Sequence, residues 1–152
     1  MLILDQGLLN DYLTGQGLAV PVSAGHFPLA FSSTMRFVWV GVGGAIGSVI
    51  RYSIGLMARQ SLFPWATLAI NLSGSFLLGL FMTWAVGRLP LAITTPITVG
   101  VLGGFTTFST FAWEGLFPSR SGRAGLALIY IVVSVVGGLG AAWWGYVVGR
   151  SI

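Results

Sequence analysis

From Met35 onward apolar residues run almost without interruption, and the polar ones gather into short breaks. Four stretches carry the pattern of helices that cross a bilayer: roughly 36–59, 65–87, 91–116 and 122–149. Each exceeds the ~20 apolar residues that span the hydrocarbon core as a helix. The boundaries have markers. Pro64 and Trp65 open the second stretch, with Trp at the interfacial depth it prefers. Arg88 and Pro90 part the second from the third, and Pro118 to Arg123 form a turn before the fourth. Trp143, Trp144 and Tyr146 make an aromatic belt at the far end, closed by Arg150. Residues 1–34 break the pattern. They hold Asp5, Asp11, Pro21 and Pro28 but no basic residue, so they lack the positive start of a secretory signal. They are expected to be an extension, either a mis-called start or a disordered segment, ahead of a transmembrane domain over 35–152.

Composition sharpens the class. Only 7% of the 152 residues are charged and 55% are hydrophobic, where a soluble domain carries roughly 25% charged residues. Mean hydropathy is +0.92. Such a chain cannot cover a water-facing surface, and the expected fold class is an all-α integral membrane protein.

The same inventory excludes several chemistries. There is no cysteine, hence no disulfide, thiol catalysis or iron–sulfur cluster. His26 lies outside the spans, and only Asp5, Asp11 and Glu114 are carboxylates. A catalytic triad, a carboxylate pair or a side-chain metal cage needs more. The net charge of +4 comes from seven arginines placed singly or nearly so at the edges of spans. No basic stripe exists, so nucleic acid is not an expected partner.

Loop arginines normally orient such a chain. Here Arg36, Arg88 and Arg150 fall on one side and Arg59, Arg120 and Arg123 on the other. A balance of three against three gives insertion no preferred direction. A short chain can balance by chance; alternatively, two copies insert oppositely and form an antiparallel homodimer.

Four features place polarity inside the lipid. In the first span, Gly43 and Gly47 form a small-xxx-small pair that admits a close neighbour. Arg51 follows ~22 Å along the helix from Arg36, either snorkelling to the interface or standing at a pore mouth to concentrate anions. In the second span Thr67, Asn71 and Ser75 recur every four residues as one polar stripe. Asn71 is then interhelical glue or a pore-lining donor, and spacing alone favours glue. In the third span Gly103-Gly104-Phe105-Thr106-Thr107-Phe108-Ser109-Thr110-Phe111 is a poor helix interior. It reads as a break at mid-span facing protein or an aqueous cavity, with unwound carbonyls of the kind that hold a cation; a packed helix with glycines against a neighbour is the plainer alternative. Phe108 and Phe111 share a face, with Glu114 beyond them, and aromatic rings offer an anion a positive edge. In the fourth span Tyr130 and Ser134 stand one turn apart.

Taken in series, GGAIGSVIRY, TLAINLSGSFLLG and GVLGGFTTFSTFAWE resemble the small bacterial fluoride channels of the Fluc/CrcB family, over about residues 36–149. The resemblance implies four transmembrane helices per subunit, the third broken mid-span, in an antiparallel dual-topology homodimer of the bacterial plasma (inner) membrane. It implies passive export of cytoplasmic fluoride, which lowers its toxicity. A structural sodium ion would sit on the two-fold axis, held by the main-chain carbonyls of Gly103 and Thr106. Two pores would be lined by Phe108 and Phe111, with Asn71 from the second helix and a hydroxyl track of Ser109, Thr110, Tyr130 and Ser134. Arg51 and Glu114 would stand at the vestibule. The implied partners are fluoride, a second copy of the chain and membrane lipid.

Two rivals fare worse. A proton-coupled exporter of the small multidrug resistance type needs a carboxylate in its first helix, and residues 37–58 contain none. An intramembrane serine protease needs a base, and the spans contain no histidine.

Overall fold

A computed structural model describes residues 33–58, 63–85, 87–120 and 122–152. The extension assigned to residues 1–34 lies outside them, apart from Ser33 and Thr34, which open the first helix. Among the described residues all regular structure is helical: α1 (Ser33–Met57), α2 (Trp65–Ala85), α3 (Leu91–Thr95), a π-helical stretch (Pro96–Leu102), α4 (Gly103–Phe105), α5 (Phe108–Arg120) and α6 (Ala124–Ser151). Four segments are long and apolar enough to cross a membrane: Met35–Met57, Trp65–Ala85, Leu91–Leu116 and Ala124–Ser151. They coincide with the expected spans within a few residues at each end.

Lipid tails give apolar helices no reason to prefer one another, so association depends on close packing. Glycines supply it here. A Cβ on Gly43 would lie 2.6 Å from the Pro96 carbonyl oxygen, and one on Gly100 would lie 2.8 Å from that of Val40. Gly47 abuts the Val101 carbonyl and the Phe105 amide. Contacts advance together along both partners, so α1 and the first half of the third span run parallel, backbone against backbone. A second parallel pair forms the same way, with Gly79 against Ala142 and Gly145 against Phe76 and Leu80. Gly149 continues this seam against Leu80 and Thr83. Thus α1 packs on the third span and α2 packs on α6.

Helix ends are closed locally. After α2, Gly87 takes φ +75° while the Arg88 and Leu89 amides donate to the Ala85 carbonyl, a turn that glycine enters without a Cβ penalty. Arg88 donates to Trp84 O at 3.1 Å and to Ile152 O at 3.3 Å, so the ends of α2 and α6 lie together. Pro96 begins the π stretch. Proline cannot donate within a helix, and the widened turns that follow put Gly103 N–H on Thr98 O as well as Gly100 O. The third span is therefore irregular well before its glycine pair.

Candidate functional site

The helical ladder of the third span holds as far as Thr106, whose N–H and Oγ1 both donate to the Leu102 carbonyl at 3.0 Å. There it stops. Thr106 takes φ −81°, ψ 159°, and neither Thr106 nor Thr107 is helical. Thr107 N–H, which a continuing helix would give to Gly103 O, goes to Asn71 Oδ1 at 2.9 Å. Asn71 Nδ2 returns a bond to Thr107 O at 3.1 Å. One carboxamide thus pairs with both polar groups of one residue's backbone, in the way a neighbouring strand would.

Sequence explains why the chain turns here. Gly103 and Gly104 weaken the helix, and two β-branched threonines favour extended backbone. Gly74, one turn beyond Asn71 on α2, leaves the space that the Thr106 methyl and the Phe105 ring fill. Helix then restarts at Phe108 under a cap: Thr107 Oγ1 accepts the Thr110 N–H at 3.2 Å. This is a side-chain oxygen satisfying a first-turn donor, and it removes the N–H that would otherwise reach Thr106 O. The carbonyls of Gly103 and Thr106 are both released from helical pairing. Thr106 O lies 3.4 Å from Arg51 Nη1, and Gly104 O lies 3.5 Å from Ser48 Oγ.

Beside this turn is a cavity of about 460 Å³. Asn71, Gly103, Thr106, Thr107, Phe108, Phe111 and Ser134 all line it, with apolar walls from Leu78, Val135 and Leu139. The Phe108 and Phe111 rings lie 5.6 Å apart. Ser134 Oγ is buried and has no hydrogen-bond partner among the described residues. Behind Phe111 stands Tyr130, the one large side chain fully enclosed among the described residues, its ring 5.4 Å from that of Phe111 and 5.5 Å from Phe63. The Tyr130 hydroxyl donates to Glu114 Oε2 at 3.1 Å.

Of the residues singled out in the sequence, Asn71, Gly103, Thr106, Phe108, Phe111 and Ser134 thus meet at one cavity. Arg51 reaches the turn itself from α1. Ser109 and Thr110 gather on Thr107 Oγ1 at 3.3 Å and 3.0 Å and do not form the cavity wall. Tyr130 and Glu114 pair with each other away from it. Thr107 is the residue that sequence reasoning passed over: it is buried, it lines the cavity, it caps α5 and it holds Asn71. A hydroxyl residue directly before a restarting helix is the signal that could have found it. Among the described residues no group of His, Cys, Asp or Glu could hold a metal ion; the candidate cation ligands are main-chain oxygens.

Four segments long and apolar enough to cross a membrane, with non-helical backbone at Thr106 and Thr107 beside a cavity, define a multi-pass membrane protein. Comparison with known proteins gives the same class: residues 38–146 match the family described as CrcB-like protein, Camphor Resistance (CrcB), and the chain belongs to that family. It is 40% identical to the fluoride-specific ion channel FluC of Acidobacterium capsulatum, over 78% of this chain and 98% of that protein. It is 42% identical to a FluC of Thermus thermophilus, over 77% and 97%, and 46% identical to that of Magnetococcus marinus, over 78% and 100%. All three bear the name of a channel and none that of an enzyme, which sets the chain among membrane transport proteins rather than enzymes.

Proposed function

We propose that this protein is a fluoride-selective channel of the bacterial plasma membrane that lets cytoplasmic fluoride leave passively. It works as an antiparallel, dual-topology homodimer with a structural sodium ion. The observation that carries the reading is the convergence of Phe108, Phe111, Asn71 and Ser134 on one cavity beside the Thr106–Thr107 turn, in a chain whose relatives are named fluoride-specific. Fluoride is small and strongly hydrated, so a pore must replace water's donors at close range or meet a large desolvation cost. The second Asn71 amide hydrogen, the unbonded Ser134 hydroxyl and the edges of the two phenylalanine rings each offer partial positive charge. None carries a full charge that would trap the ion, and conduction requires binding weak enough to release it. Ser109 and Thr110, gathered on Thr107 Oγ1, and Tyr130, whose hydroxyl goes to Glu114, stand outside the cavity wall and join the hydroxyl track only by the family resemblance. Arg51 draws anions toward the turn, and Glu114, held by Tyr130, marks the vestibule.

The donor set at the turn fits sodium. Gly103 and Thr106 present main-chain oxygens freed from the helix, the hard neutral ligands such an ion takes. Two copies of the chain would supply four of them, and Arg51 still leaves Thr106 O a lone pair. When bound there, the ion supplies positive charge that fastens the two non-helical turns together. Phe108, exposed to 79% on a single chain, supports a face that a second copy completes.

The test is anion efflux from proteoliposomes holding the purified protein, with fluoride and chloride followed by ion-selective electrodes. Fast fluoride efflux with negligible chloride efflux is expected. Efflux of neither ion from verified folded dimer would defeat the channel reading.

A further inference from the structure

The carboxamide of Asn71 does two things at once. Its Oδ1 takes the Thr107 N–H at 2.9 Å, and that N–H is the donor which, in an unbroken helix, would occupy the Gly103 carbonyl. By taking it, Asn71 keeps Gly103 O available. Its Nδ2 meanwhile grips Thr107 O at 3.1 Å, which holds Thr106 in its extended conformation. The orientation of the amide is fixed by chemistry, because a backbone N–H needs the oxygen and a backbone carbonyl needs the nitrogen.

We infer that Asn71 is a positioning residue for the cation site: it keeps the Gly103 carbonyl free for sodium by capturing the Thr107 N–H. This rests on the sodium reading given above. Without the Oδ1 acceptor, Thr107 N–H is left buried and unpaired. Its nearest remedy is to return to Gly103 O, drawing the turn back toward helix and withdrawing a ligand. The pore and the cation site are then coupled through one side chain that touches no cation. Partners of this outer kind are worth roughly 10–100-fold in metal affinity.

The readout is the sodium concentration giving half-maximal thermal stabilisation of purified dimer, with sodium chloride replaced by N-methylglucamine chloride at constant ionic strength. Asn71→Leu, which has no acceptor, should raise that concentration by roughly 10–100-fold. Asn71→Asp keeps an acceptor for the Thr107 N–H and should leave the midpoint well below the Asn71→Leu value, whatever happens to flux. A general loss of stability would lower the melting temperature with and without sodium but would not move the midpoint. An Asn71→Leu protein with the wild-type midpoint overturns the inference, as does an Asn71→Asp protein whose midpoint rises as far as that of Asn71→Leu. If Asn71→Leu yields no folded dimer, Asn71→Ala, which also lacks the acceptor, is compared with wild type: a raised midpoint supports the inference and an equal one overturns it. A wild-type protein that does not respond to sodium at all removes the sodium reading and this inference together. A responding wild type with an unmoved Asn71→Leu midpoint removes only the latter.

Discussion

Phe108 and Phe111 are the residues on which the selectivity argument rests most directly. Their rings stand 5.6 Å apart and both face the cavity beside Asn71. Replacing either by isoleucine preserves apolar bulk but removes the positive ring edge. Fluoride efflux in liposomes should fall by about tenfold or more, the factor that about 1.4 kcal/mol of lost stabilisation gives, while crosslinking still reports dimer. Unchanged flux in both variants would strip the rings of their role. Tyr130 supports these rings from behind, and its hydroxyl donates to Glu114. Tyr130→Phe leaves a carboxylate oxygen short of a donor and should cost about 1–3 kcal/mol. Tyr130→Ala also opens a cavity and should cost about 3–5 kcal/mol, both read from denaturant unfolding in detergent. Asn71, Thr106 and Ser134 draw notice in the sequence because polarity inside an apolar span is rare. Gly103, Phe108 and Phe111 come instead with the glycine-pair and hydroxyl segment that reads as a break, and all six line the cavity. Spacing favoured Asn71 as glue between helices, and its two hydrogen bonds to the Thr107 backbone are a contact of that kind. The Tyr130–Glu114 pair was not legible: helical spacing sets Tyr130 beside Ser134, whereas its long phenol reaches a partner sixteen residues away. Nor was Thr107, whose importance comes from a backbone N–H and a cap, groups that every threonine carries.

At the scale of elements, hydropathy placed all four spans, since the bilayer sets helix length more strictly than any local preference. It said nothing of the π stretch at Pro96–Leu102. A proline inside a span signals that the ladder is interrupted, but whether the chain kinks or widens depends on what packs beside it. Here the neighbour is α1, drawn so close by Gly43, Gly47, Gly100 and Gly104 that backbone meets backbone. Gly47→Val should therefore separate α1 from the third span, and overpacking of this kind costs about 1–3 kcal/mol. Gly140→Val, where an added Cβ meets nothing within 4 Å, should be far milder. Thermal unfolding of the two variants in the same detergent checks the contrast. Equal losses would mean that the glycine seam is not what joins these helices.

For the whole molecule, the proposed pairing of two copies rests on the arrangement of charge. Residues that face outward on a single chain include Phe37, Tyr52, Met57, Phe108 and Leu139, a surface that suits lipid or a second protomer. Phe108 belongs to the cavity as well, so at least part of that surface serves the site. The Arg88–Ile152 bond puts the second loop and the end of α6 at one end of the bundle, which groups Arg88 with Arg150 as the alternation of spans requires. The three-against-three balance expected from the sequence, of which Arg59 lies outside the described residues, would give insertion no electrical preference. If opposite orientations are both needed, biasing the chain must silence it. Two lysines added beside Arg88 and Arg150 should fix one orientation and abolish fluoride efflux. Two lysines added to the opposite loops should fix the other and also abolish it. Co-expression of the two inactive proteins should restore efflux, because each supplies the orientation that the other lacks. Full activity from one biased copy alone, with orientation verified by accessibility of an introduced cysteine, would mean that parallel subunits suffice. The arginine balance would then be an accident of a short chain rather than the instruction for its assembly.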